Sequence, residues 1–177
     1  MKGVVFTEFM EMVETKFDEN MLEEVIDEAG VDGVYTAIGT YPHTDMILLV
    51  SALSTKSGIE VSELLRMFGV YMFGAFTKLY PTFFEEKDNS FDFLEQVEGF
   101  IHAEVKKIYP KAELPRFETN RLDAKRLEMV YYSDRRMGSL AVGLIQGCLD
   151  FFKDDGEVNI VSSSEDNTIV NFLIEIK

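Results

Sequence analysis

Two features of this chain carry side chains that could do chemistry. The first is His102, one of two histidines in 177 residues, set in the stretch from Ser90 to Tyr109. There Leu94, Val97, Ile101, Val105 and Ile108 recur at helical spacing and give one apolar face. Asn89 or Ser90 can cap the start of this helix, and Pro110 opposes its continuation. At about 100° per residue His102 falls about 80° round from Leu94, beside Phe91 and Tyr109 on the flank of that face. Taken alone, an imidazole there reads first as an ordinary hydrogen-bonded residue. The second feature is the stretch LEMVYYSDR. Strand alternation puts Leu127, Met129, Tyr131, Ser133 and Arg135 on one side. That side begins apolar and ends with a phenol, a hydroxyl and a guanidinium, a donor set suited to carboxylates: arginine offers a two-pronged match and the hydroxyls add single bonds. The same pattern also fits a strand leaving the core with a solvated end. Phosphate suits it less, because no glycine-rich loop or Lys-Ser/Thr pair accompanies it.

The elements around these residues fall into two kinds. Val4 to Phe17 reads as an amphipathic helix with an aromatic inner side. Asn20 and Glu23 resemble a capping box for a short helix ending near Ala29, with Gly30 as its stop. Gly33 to His43 reads as a loop, with His43 facing solvent, ahead of a helix from Thr44 or Asp45 to Ser57, closed by Gly58. Val61 to Leu79 is a further helix, with Leu64, Leu65, Phe68, Met72, Ala75, Phe76 and Leu79 expected to face inward. Tyr80-Pro81 breaks it, and a loop over 85–89 leads to the His102 helix. After Pro110 the character changes. Arg116 to Leu122 and Leu127 to Ser133 read as strands about a turn near Asp123-Ala124. Met137 to Phe152 reads as a helix with Leu140, Leu144, Ile145 and Phe151 among its apolar positions. Val158 to Val161 and Ile169 to Ile176 alternate around a polar turn, a terminal hairpin. The expected fold is α+β: an N-terminal helical subdomain, about residues 1–60, and a C-terminal half, about 61–177, that carries the His102 helix and a four-stranded antiparallel sheet.

Composition narrows the classes. A hydrophobic fraction of 46% with fifteen phenylalanines is ample for a core and leaves room for an apolar pocket. The net charge of −15 argues against non-specific binding to nucleic acid or anionic membrane. Cys148, the single cysteine, can form neither an internal disulfide nor a cysteine-only metal site. The longest apolar run, Met46 to Leu53, is too short to span a bilayer. With no signal peptide in view, the expected compartment is the cytoplasm. A non-haem metal is disfavoured: Glu98 and His102 share a helix face at i, i+4, but no third ligand is identifiable. An imidazole on an apolar flank, an aromatic-rich helical half and an arginine-led carboxylate clamp together meet the requirements of haem, held non-covalently for want of a C-x-x-C-H motif.

The whole chain resembles the H-NOX (haem nitric oxide/oxygen-binding) family, on the opening Met1-Lys2-Gly3, His102 in its helix, Pro115, and the Y-x-S-x-R motif as Tyr131, Ser133 and Arg135. The resemblance implies haem b buried between the two halves. It makes His102 the proximal iron ligand, with Tyr131, Ser133 and Arg135 binding the propionates and Pro115 pressing on the macrocycle. Members that hold dioxygen stably carry a distal tyrosine where this sequence has Leu140, and no polar partner stands out near Met72. Bound dioxygen takes negative charge and favours a donor, whereas nitric oxide depends on one much less. The implied ligand is nitric oxide, with carbon monoxide also bound and dioxygen excluded. Loss of the trans bond to His102 is then expected to release its helix, let Pro115 relax and rotate the two halves. No catalytic module follows before Lys177, so the output is expected to pass to a separate protein, a sensor histidine kinase or a cyclic-di-GMP enzyme (diguanylate cyclase or phosphodiesterase). Two other classes stay open: a haem enzyme such as a peroxidase or oxygenase, and a haem-free module binding a carboxylate such as a fatty acid.

Overall fold

The computed structural model describes every residue except Glu86. Helix α1, Gly3–Lys16, buries Val4, Phe6, Phe9, Met12 and Val13. Its first residue has to be glycine, because a Cβ on Gly3 would lie 1.8 Å from the Thr36 carbonyl oxygen. That approach lets Gly3 N–H donate to Gly39 O and Val4 N–H to Ala37 O, both at 2.9 Å. Tyr35 stacks on Phe6 at 4.4 Å and fixes the same loop from above. Helix α2, Glu19–Ala29, is capped by Asp18, whose carboxylate accepts Met21 N–H at 2.7 Å. The expected cap at Asn20 is therefore displaced by two residues: Asp18 is extended and reaches the free N–H of the first turn. Gly30 ends α2 with φ of 64°, where glycine has no Cβ to strain.

Helix α3 spans His43–Ser57, so His43 opens the helix and is half-buried instead of standing in a solvated loop. Helix α4 spans Val61–Leu79 and buries Leu64, Leu65, Phe68, Met72 and Phe73. Leu79, expected inside, is 49% exposed, whereas Phe73 takes an inward position. The His102 stretch is not one helix. After α5, Ser90–Leu94, capped by Asn89, the chain makes a π-helical turn over Val97–Ile101 before α6, His102–Ile108. Such a turn inserts an extra residue per turn and re-aims the side chains that follow, and it is frequent at functional sites.

Strands β1, Arg116–Arg121, and β2, Arg126–Tyr132, precede helix α7, Gly138–Phe152. Strands β3, Gly156–Ser163, and β4, Ile169–Ile176, follow it. They form one antiparallel sheet in the order β1-β2-β4-β3, which makes the fold α+β as expected. Leu127, Met129 and Tyr131 pair with Ile174, Phe172 and Val170 on the face that packs inward. Among the described residues no helix is long and apolar enough to cross a membrane.

Two apolar clusters result. One joins α1, α2, α3 and most of α4; the other joins α5, α7 and the sheet. They meet where α4 crosses α7. A Cβ on Gly69 would lie 2.4 Å from Leu140 O, and one on Gly143 would lie 2.1 Å from Arg66 O. The two backbones touch there, and no larger residue fits without separating the helices. Phe151, although on α7, is 44% exposed, because the helix turns it past the edge of the cluster. Gly143→Ala is expected to destabilise the fold by about 1–3 kcal/mol through overpacking, read as a lower urea midpoint at unchanged slope.

Candidate functional site

Between α1, α4 and α7 on one side and α5, α6 and the sheet on the other lies a cavity of about 260 Å³. His102, Pro115, Tyr131, Ser133, Arg135 and Leu140 all line it. The residues singled out from the sequence are thus brought to one place, from α6, the approach to β1, the end of β2 and α7. Leu94, Val97, Ile101, Val105 and Ile108, the apolar face of the broken helix, line it too. The extra residue of the π turn does not spoil that face. His43 lies elsewhere, in a separate hollow with Met46, Arg136 and a second aspect of Arg135.

His102 has the surroundings of a neutral ligand. Its side chain is 13% exposed, and its ring lies 5.8 Å from that of Phe117. Burial holds its pKa below the ordinary histidine value, against the raising effect of the Glu98 carboxylate, with Lys106 adding to the lowering. The imidazole is therefore neutral at pH 7, and an uncharged ring nitrogen is what a metal requires. Nδ1 lies 3.2 Å from Glu98 Oε2. Nε2 has no hydrogen-bond partner among the described residues.

The donor set has unspent capacity. Tyr131 is 3% exposed, and its hydroxyl accepts Met137 N–H at 3.2 Å, which leaves its own proton to donate. Ser133 Oγ likewise accepts Arg135 N–H at 3.2 Å. The Arg135 guanidinium, its side chain 16% exposed, donates to Glu113 O at 2.8 Å and to Glu113 Oε2 at 3.2 Å. The Glu113 side chain is 89% exposed, and an ion pair with so solvated a carboxylate is weak. A better-buried carboxylate can take that place. An apolar slot, a neutral imidazole on its wall and three carboxylate donors at its rim fit haem by the chemistry of the residues present.

The comparisons agree with this geometry. A family model described as Haem-NO-binding matches residues 2–160. The chain belongs to the H-NOX family. That family comprises haem-based gas sensors. The crystal structure of the Fe(II) unliganded H-NOX protein from K. algicida is 35% identical, with a TM-score of 0.94 over 100% of this chain and 97% of that one. The solution structure of the IWP-051-bound H-NOX from Shewanella woodyi in the Fe(II)CO state is 36% identical, with a TM-score of 0.84 over 100% and 95%. An H-NOX protein from S. oneidensis in the Fe(II)NO state shares the fold at 20% identity, with a TM-score of 0.92 over 100% and 99%. No curated protein matches the chain.

Sequence reasoning missed a second tie across this H-NOX cavity. The hydroxyls of Tyr80, at the end of α4, and Tyr109, at the end of α6, are hydrogen-bonded at 3.0 Å. Burial first, then the hydrogen bond from Tyr109, holds the Tyr80 phenol above its usual pKa. Each tyrosine directly precedes a proline, which reads locally as a helix stop and conceals the pairing. Tyr109→Phe is expected to lower stability by about 0.5–1.5 kcal/mol, measured by urea unfolding.

Proposed function

We propose that this H-NOX chain is a nitric oxide sensor that binds haem b non-covalently in the cavity. It also takes carbon monoxide, holds no stable dioxygen, and signals in the cytoplasm to a separate histidine kinase or cyclic-di-GMP enzyme. The observation that carries this reading is the convergence of a neutral imidazole and three carboxylate donors on one apolar cavity. Solved relatives with iron in unliganded, nitric oxide and carbon monoxide states support the choice of ligand.

When bound, haem supplies a ferrous iron with an open coordination position for the gas. His102 would hold that iron through Nε2, the nitrogen that Glu98 leaves free. Tyr131, Ser133 and Arg135 would bind the propionates, Arg135 exchanging the exposed Glu113 carboxylate for a buried one. Pro115, rigid in φ and lining the cavity just before β1, would press on the ring. The wall from α1, α4 and α7 presents Val5, Met72, Phe76, Leu140 and Leu144, side chains without a good hydrogen-bond donor. Dioxygen, which needs such a donor to hold the negative charge it acquires, is disfavoured there, and nitric oxide is not.

Signalling follows from what the gas favours. Helix α6 ends at Ile108 and joins β1 through Pro115, so a bond from His102 to bound haem would hold α6 in place and its loss would free the helix. Nitric oxide shifts the population only by the difference in its affinity for the held and released states. The separate hollow of His43 and Arg136 lies outside the cavity, so the acid–base pair that a peroxidase would use is not at the gas side.

The test is the absorption spectrum of the purified ferrous protein. It is expected to show a haem band that moves to a five-coordinate form under nitric oxide and no oxy form in air. Leu140→Tyr, which adds a donor to that wall, is expected to slow dioxygen loss by about tenfold or more, the worth of one hydrogen bond to a charged group. A protein that takes up no haem leaves the carboxylate binder as the better reading.

A further inference from the structure

Glu98 sits in the π-helical turn between α5 and α6, and one of its oxygens serves two groups. Oε2 lies 3.2 Å from His102 Nδ1 and accepts Phe117 N–H at 2.9 Å. Phe117 is the second residue of β1, two positions after Pro115. The same Phe117 packs its ring 5.8 Å from the imidazole and 5.6 Å from Tyr131. The ring of His102 is thus tied to the strand as well as carried on its own helix. We propose that Glu98 is a positioning residue for His102, its carboxylate selecting the Nδ1–H tautomer, turning Nε2 to the cavity and docking the imidazole on β1.

The consequence rests on the haem reading above and goes beyond it. A carboxylate that accepts the outer N–H of a ligating imidazole pulls the proton toward itself and makes the other nitrogen a stronger donor to the metal. In this chain the carboxylate is 43% exposed, so the strengthening is partial, which suits a bond that has to break on signal. Glu98 therefore sets how firmly His102 holds. After release it keeps the freed ring against β1, so the displacement is passed to the sheet through the Phe117 backbone.

The ordinary alternative is an i, i+4 pair on a helix surface, worth a few tenths of a kcal/mol and silent at the metal. Glu98→Gln separates the two. The amide carbonyl still accepts both N–H groups, so the fold is kept while the charge is removed. In resonance Raman spectra of the ferrous haem-loaded protein, the iron–histidine stretch is expected at lower frequency in E98Q than in the parent, and lower again in E98A. Release of His102 under nitric oxide is expected on the order of tenfold faster in E98Q. An unshifted stretch in both variants at equal haem content would overturn the proposal. A parent protein with no iron–histidine stretch would overturn the haem reading instead, and the proposal with it.

Discussion

A neutral imidazole has to stand on the wall of an apolar cavity with one nitrogen tied down and the other free, and the architecture is arranged around that need. Burial keeps His102 uncharged. A buried polar ring left wholly unpaired would be costly, and Glu98 removes that cost on one side without filling the cavity on the other. The π turn matters here because it lies between α5 and α6 and carries Glu98 itself. A regular helix through Ser90–Tyr109 would set a different angle between the Leu94 face and the imidazole.

The opposite wall depends on a second constraint, the contact of α4 with α7. Gly69 and Gly143 bring the two backbones together, and this fixes Met72 and Leu140 relative to one another. It also joins the two apolar clusters through elements that both line the cavity. The cavity therefore lies along the seam between the two clusters. Tyr80 and Tyr109 close one edge of that seam with a single hydrogen bond.

Much of this was legible in the residues. The period-two run ending Tyr131, Ser133, Arg135 pointed to three side chains that the fold brings to one cavity, although β2 itself stops at Tyr132 and the last two lie just beyond the strand. Leu94, Val97, Ile101, Val105 and Ile108 share one cavity as their spacing implies, even though the helix breaks between them. The break was hidden because a π turn leaves no residue signature and keeps the apolar positions facing inward. Glu98 was visible as an i, i+4 partner of His102, but a metal search weighs it as a ligand and discards it for want of a third. The role proposed for it depends on Phe117, nineteen residues on, and that contact is tertiary. Asp18 took the cap from Asn20, and Leu79 turned outward, for local reasons that propensity does not resolve. Glu113 escaped notice because only the folded loop brings it to Arg135.

The claim on which the rest depends is that His102 is the tether that nitric oxide releases. Electron paramagnetic resonance of the ferrous haem-loaded protein under nitric oxide reads that bond directly. The expected spectrum carries hyperfine splitting from the nitric oxide nitrogen alone, in the parent protein, with no second axial nitrogen. A spectrum that retains superhyperfine splitting from a histidine nitrogen at saturating gas would contradict the account.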